Sequence, residues 1–297
     1  MAHPVPPVLA GRRHTLTWWG RLSGLNIPGE VTEFSKLHLI AIGGFDPSGG
    51  AGLVRDGLTA QSLGSSFRLV GTAWAEQSAA LGVQAIDARP ASEVRKAIQL
   101  ALKEAPPGRT GVKVGMAVNA EVSQAIVEGI EGFAGPVVFD PVLGATSGGA
   151  LFDAGREQLL QVLAPLIART WIITPNAHEA ARLCEREVDT VEEAERCAKV
   201  FTQTGARAAV ITGGHLDTAD IVDVLAIQGE REAHRLEQER VPGPSVRGTG
   251  CCYASSLALH LAAGHGFVAA CEAAQAHVAD GIRHARPIGP QWHLGHT

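Results

Sequence analysis

The 297-residue chain lacks several features that would announce a function class. It has no basic surplus: 25 Lys and Arg stand against 30 Asp and Glu, a formal net charge of -5. A nucleic-acid binder shows a basic stripe or excess, so no nucleic-acid partner is expected. An anionic ligand stays open, because backbone N–H groups alone can build a small phosphate site. No uninterrupted apolar run approaches the roughly 18 residues that span a bilayer, so no membrane partner is expected either. The five cysteines (Cys184, Cys197, Cys251, Cys252 and Cys271) are odd in number and show no C-x-x-C spacing. They suggest neither a disulfide framework nor a zinc site, and they fit a reducing cytoplasm. The twelve histidines show no ligand spacing, and His284, His293 and His296 read as solvated rather than metal-binding. Two common nucleotide signatures are also missing. The glycine-rich segment near residue 45 does not fit G-x-G-x-x-G, because position 55 is Arg, and no Gly-Lys-Ser/Thr completes a P-loop.

What is present is a chain able to build a core. Hydrophobic residues make up 45% and charged residues 19%, the range of a packed globular protein. Residues 1–34 differ from the rest: they carry Arg12, Arg13, Arg21, Trp18 and Trp19, with no acid before Glu30 and no clean apolar targeting stretch. They are expected to form a poorly ordered leader ahead of one domain spanning 35–297. From Leu37 onward, short apolar runs alternate with helical patterns. Strands are expected at Leu37–Gly43, Phe67–Thr72, Val112–Gly115, Val137–Asp140, Trp171–Ile173, Ala208–Ile211 and Ile221–Ile227. Helices are expected at Gly52–Leu63, Ser92–Glu104 with Ser92 as N-cap, after Asn119, and at Leu159–Ile167, Ala177–Leu183, Val191–Thr204, Gly250–Ala263 and Phe267–Arg283. This alternation predicts an α/β fold with a mainly parallel central sheet covered on both faces. Ligands of such sheets bind beyond the carboxyl ends of the strands.

Five segments at those ends invite a chemical reading. In Gly43–Gly52 (GGFDPSGGAG), the glycines let backbone approach a ligand, although a tight turn alone would account for them. Asp140-Pro141-Val142, at the head of a segment running to Gly149, offers a strand-end carboxylate that suits Mg²⁺ or simply opens a turn before proline. Asn176 and Glu179, three apart at a helix start, read either as a capping pair or as a Mg²⁺–water site beside phosphates. Gly213-Gly214-His215 is a turn by default. Arg247-Gly248-Thr249-Gly250-Cys251-Cys252 opens a helix, where two glycines and a threonine free the first N–H groups to face an anion. Cys251 would lie in the positive field that lowers a thiol toward neutrality. Cys252 would point about 100° further round the helix.

Taken in order, these segments resemble the ribokinase-like superfamily, and within it the hydroxymethylpyrimidine/phosphomethylpyrimidine kinases of thiamine biosynthesis. The carriers are Asp46–Gly52 (DPSGGAG), Lys113-Val114-Gly115-Met116, Asp140-Pro141-Val142, Thr174-Pro175-Asn176 with Glu179, Gly213-Gly214-His215 and Gly248-Thr249-Gly250-Cys251. The resemblance implies a three-layer α/β/α sandwich, a homodimer, MgATP, and two successive phosphorylations of 4-amino-5-hydroxymethyl-2-methylpyrimidine. It implies Gln77 on the aminopyrimidine edge, with Gly44, Asp46, Met116 and Val142 around the substrate. It implies Asp140 and Glu179 at Mg²⁺, and Asn176, Thr212, Gly214 and Arg247 beside the nucleotide. Gly248, Thr249 and Gly250 would form the anion hole, with Cys251 as base.

The chain departs from the family pattern at four places: Phe45 replaces a Ser or Thr, Thr212 a lysine and Arg247 a histidine, and the segment after Gln77 (Ser78-Ala79-Ala80-Leu81-Gly82) is one residue longer. Arg247 is expected to restore the cation that Thr212 lacks, because guanidinium pairs well with phosphate. A pyridoxal-type kinase on the same fold is one alternative. A weakly catalytic ligand-sensing paralogue is another, although a sensor has no need to keep Gln77, Asp140, Glu179 and Cys251.

Overall fold

The computed structural model describes residues 33–78, 82–143 and 156–296. The expected leader falls almost wholly outside the described residues, as do Ala145–Gly149 after Asp140. Nine strands form one sheet: β1 (His38–Phe45), β2 (Ser66–Ser78), β3 (Gly82–Ala88), β4 (Thr110–Val114), β5 (Val137–Phe139), β6 (Ile172–Ile173), β7 (Ala208–Ile211), β8 (Ile221–Ile227) and β9 (His234–Gln238). Their order is β3-β2-β1-β4-β5-β6-β7-β8-β9. The six inner strands from β2 to β7 are parallel. β3 joins one edge antiparallel, and β8 and β9 extend the other edge antiparallel.

Helices cover both faces. α2 (Ala91–Glu104), α3 (Ala120–Gly129), α4 (Arg156–Ile167), α5 (Ala177–Cys184) and α6 (Val191–Gln203) pack on one side. α1 (Gly52–Ser62), α7 (Thr249–Ala262) and α8 (Phe267–Arg283) pack on the other. Strand residues alternate between these layers. Ile40 and Ile42 of β1 join Val94, Ile98 and Ile126, whereas Leu39 and Ala41 join Leu257 and Ala258. Both faces of the inner strands are therefore apolar, which is why their sequences read as unbroken hydrophobic runs. Each fully buried Leu, Ile or Val contributes roughly 1.5–3 kcal/mol, largely offset by the entropy of ordering the chain. The result is the α/β/α sandwich expected of the sequence.

Several local expectations need correction. Ser92 is not the N-cap of α2: Pro90 holds that position and Ala91 is already helical. β2 runs on to Ser78 and pairs with β3, which the sequence did not suggest. A second sheet, β10 (Val246–Arg247), β11 (Arg286–Ile288) and β12 (Gln291–His293), is built from runs of two or three residues. Such runs are too short for periodicity to register. Cys184 and Cys197, with Cα atoms 6.1 Å apart, form a disulfide where none was expected. They meet because α5 packs on α6, not through any sequence spacing. His284 is exposed as expected, but the His293 and His296 side chains are largely buried. No helix of the described residues is long and apolar enough to cross a membrane.

Candidate active site

The carboxyl ends of β1, β4, β5, β6 and β7 open into one cleft of about 850 Å³. One wall begins at β1, where Gly44 lies against Met116. A Cβ on Gly44 would stand 2.9 Å from the Met116 sulfur, so any larger residue would push the Met116 side chain aside. Thr72 Oγ1 donates to the Met116 carbonyl at 2.8 Å and fixes its height. Phe45 also lines the cleft, while its ring packs on Trp74 at 4.6 Å between centroids. Asp46 accepts from Ser48 N at 2.9 Å and so shapes the first loop.

That loop meets the start of α7. Gly248 occupies the N-cap with φ 82°, a conformation that favours glycine. A Cβ there would sit 2.2 Å from the Gly50 carbonyl oxygen. No side chain caps α7, so its first N–H groups remain available to an anion. Gly250 has open space beside it, and Thr249, Gly250 and Cys251 all line the cleft. The Gly52 N–H donates toward the Cys251 sulfur, which ties the two loops together. The expected lowering of the Cys251 thiol does not occur. Burial pushes it up to about 12, against the opposing influence of Lys113. Desolvation outweighs the helix terminus here.

Beneath the turn lies a buried charge network. Lys113 Nζ on β4 sits 3.1 Å from Asp56 Oδ1 and 3.4 Å from Asp140 Oδ2. Ser255 Oγ donates to Asp56 Oδ1 at 2.9 Å. Burial works to lower the Lys113 pKa, but Asp56, Cys251 and Asp140 more than reverse it, so the ammonium stays charged. Lys113 and Asp56 were not singled out as site residues. Lys113 lies two residues after Gly111 inside an apolar strand, and a charged residue inside such a run is the signal that could have found it.

Asn176 and Glu179 form a complete capping box on α5. Asn176 Oδ1 accepts from Glu179 N, and Glu179 Oε2 accepts from Asn176 N, both at 3.0 Å. The same Glu179 faces the cleft and Asp140. Burial, then repulsion from Asp140, pushes its carboxyl up to about 8. Asp140 Oδ2 is buried and has no hydrogen-bond partner, its 3.4 Å approach to Lys113 lacking hydrogen-bond geometry. A carboxyl raised by burial and by its neighbour, beside a second carboxylate with an orphaned buried oxygen, is a donor set that a hard divalent cation such as Mg²⁺ would satisfy.

At the far end, Thr212 bridges to Asn176, and Gly214 follows in a tight turn. Asp223 Oδ1 accepts from Gly213 N at 2.7 Å, and burial pushes Asp223 up to about 6. Arg240 donates to the Gly214 carbonyl at 3.3 Å, placing a cation near this turn that the sequence reading overlooked. Arg247 lines the cleft but is engaged elsewhere than expected. It donates to Gln291 Oε1 at 2.8 Å and to Asp46 Oδ2 at 3.4 Å, so much of its charge is already met. Gln77 lies on β2, but its side chain is outside the described residues. All other predicted site residues, Val142 included, line this single cleft.

The family model for phosphomethylpyrimidine kinase matches residues 46–295. A hydroxymethylpyrimidine/phosphomethylpyrimidine kinase of Streptomyces coelicolor is 34% identical over 251 residues, covering 84% of this chain and 90% of that protein. A thiamine biosynthesis bifunctional protein of Geobacter sulfurreducens is 33% identical over 258 residues, covering 86% of this chain. The chain spans only 51% of that relative's length. Among solved structures, the ADP complex of Bacillus subtilis pyridoxal kinase superposes with a TM-score of 0.78 at 26% identity, covering 88% of this chain and 97% of that one. With the cleft, the sandwich and a family match that begins at Asp46 of the first loop, the chain belongs to the phosphomethylpyrimidine kinase family.

Proposed function

We propose that this chain transfers the γ-phosphoryl group of ATP to the hydroxymethyl oxygen of 4-amino-5-hydroxymethyl-2-methylpyrimidine, and then phosphorylates the resulting monophosphate. The observation that carries this reading is the pairing of an uncapped helix start at Gly248–Cys251 with the apolar wall of Gly44 and Met116 in one cleft. The wall accepts a flat ring, and Gln77 offers both donor and acceptor to an aminopyrimidine edge. The N–H groups of Thr249, Gly250 and Cys251 hold the oxygens of the moving phosphoryl group, where charge spreads as transfer proceeds. Asn176, Thr212 and Gly214 receive the nucleotide phosphates. Asp140 and Glu179 would hold Mg²⁺, which when bound neutralises phosphate charge. The Lys113 ammonium, 3.4 Å from Asp140 Oδ2, holds that carboxylate in place for the task.

Cys251 stands beside the acceptor oxygen and takes its proton. Because its thiol sits up at about 12, only a small thiolate fraction serves near neutrality, and the rate depends on that fraction. Alignment and charge stabilisation therefore carry most of the acceleration. A homodimer is supported by the exposed apolar side chains Leu58, Phe67, Leu69 and Trp74 on α1 and β2, a face that a second copy would cover.

The test is an ADP-release assay with MgATP and a panel of aminopyrimidine and pyridoxal substrates. Turnover of hydroxymethylpyrimidine and of its monophosphate is the expected result. Turnover of pyridoxal alone would replace this reading with the activity of the B. subtilis neighbour, and no turnover of any acceptor would favour a ligand-sensing paralogue.

A further inference from the structure

We propose that Cys252, His277 and His296 form a binding site for a thiophilic divalent cation of the zinc class, one that clamps the C-terminal segment onto α7 and α8. One ligand atom from each of the three lies within 4.8 Å of the others. The Cys252 sulfur is 3.8 Å from His296 Nε2. A tetrahedral ion with Zn–S near 2.3 Å and Zn–N near 2.0 Å needs about 3.5 Å along that edge. The cluster is thus close to coordination size without an ion.

The surrounding groups fit the same chemistry. His296 Nδ1 is buried without a hydrogen-bond partner, and it faces Asp280 Oδ2 at 3.9 Å. A carboxylate behind the far nitrogen is the usual device that orients a metal-bound imidazole. Binding of the cation to the Cys252 sulfur would release the thiol proton to solvent. One thiol and two imidazoles select zinc-like ions over Mg²⁺. The two rings are stacked, with planes 2° apart and centroids at 4.2 Å. Parallel rings cannot aim both lone pairs at one point, so one ring turns about its soft Cβ–Cγ torsion as the ion enters. Water completes the fourth position.

The three ligands come from α7, α8 and the segment after β12. Gln291 of β12 holds Arg247 at the cleft, so the clamp bears on the cleft rim rather than on its chemistry. The inference does not rest on the proposed phosphoryl transfer. It is tested on the full chain after chelator treatment, by titration with Co²⁺. We expect one equivalent to bind, with a near-ultraviolet thiolate-to-cobalt band and the visible bands of a four-coordinate ion. Cys252→Ser should abolish the near-ultraviolet band, and Cys271→Ser, which alters another buried thiol, should retain it. His277→Gln and His296→Gln should each weaken binding at least about tenfold. Zn²⁺ should displace Co²⁺ and raise Tm. No charge-transfer band at one equivalent, or a band that survives Cys252→Ser, would overturn the site. Should Cys252→Ser fail to fold, parental Co²⁺ affinity in His277→Gln, altered at a half-buried position, overturns it equally.

Discussion

Helix α7 opens with two adjacent thiols that belong to different neighbourhoods. Cys251 faces the cleft, the Gly52 N–H and the Lys113 network. Cys252 faces Thr59, Arg55 and His296 on the other side of the helix. One residue of helix separates them by about 100°, and that rotation divides the cleft from the histidine cluster. Burial lifts both thiols alike to about 12. What distinguishes them is therefore the company each keeps: a buried ammonium and carboxylates on the front, imidazoles on the back.

The largest expected effect removes the front-side cation. Lys113→Met should lower kcat/KM for hydroxymethylpyrimidine by about 10³-fold or more, since Asp140 and the phosphoryl oxygens lose a fixed charge. It should also cost about 3–5 kcal/mol of stability in urea unfolding, because Asp56 is left buried and unpaired. The double variant Asp56→Asn/Lys113→Met should regain most of that stability and none of the activity. Near-parental turnover in Lys113→Met would erase the electrostatic difference between the two sides.

Next comes the pair itself. Cys251→Ala should lower kcat at pH 7 roughly 10²-fold, and Cys252→Ala should remain within about threefold of the parent. With a thiol at about 12, the thiolate fraction grows about tenfold per pH unit below that value. At saturating MgATP the parental kcat should therefore climb steeply from pH 7 to 9, as should that of Cys252→Ala, while Cys251→Ala stays flat. A flat parental profile would show that Cys251 does not take the proton.

A smaller effect concerns Glu179. Its folded-state carboxyl is raised to about 8 from an ordinary 4.5, so the folded state favours the protonated form. That contribution is fully present below about 4.5 and is lost as pH rises to about 8. Without divalent cation, Tm should fall across this window and then level off. Glu179→Gln, which can still accept from Asn176 N, should flatten the curve, and added Mg²⁺ should do the same for the parent above pH 8. An unchanged slope in Glu179→Gln would assign the loss to another group.

The smallest effect is at Arg247. It contacts Asp46 of the loop proposed for the acceptor, and Gln291. Arg247→Ala should raise KM for the pyrimidine a few-fold and leave KM for ATP unchanged. The reverse pattern in steady-state kinetics would restore the phosphate role expected from the sequence.

The parallel core was legible because β1, β4, β5 and β7 are apolar runs bounded by glycine, proline or a cap, features local to each segment. The cleft was legible because its motifs fall at strand ends, where such folds bind ligands. What stayed hidden depends on distance in the chain. Lys113 meets Asp56 across 57 residues, and Cys252 meets His296 across 44. Cys184 and Cys197 meet only once α5 lies on α6. The Cys251 thiol was misjudged because a helix start is visible in sequence, whereas the apolar packing that desolvates the sulfur is not.

Gly248 leaves no room for a methyl group between the α7 turn and the Gly50 carbonyl, so the loop proposed to hold the acceptor and the turn proposed to hold the phosphoryl group touch backbone to backbone. Whichever ligand settles first stiffens the wall that the second must meet, and linkage makes that help mutual. Acceptor and nucleotide should therefore bind with positive heterotropic cooperativity, each tightening the other by the same factor.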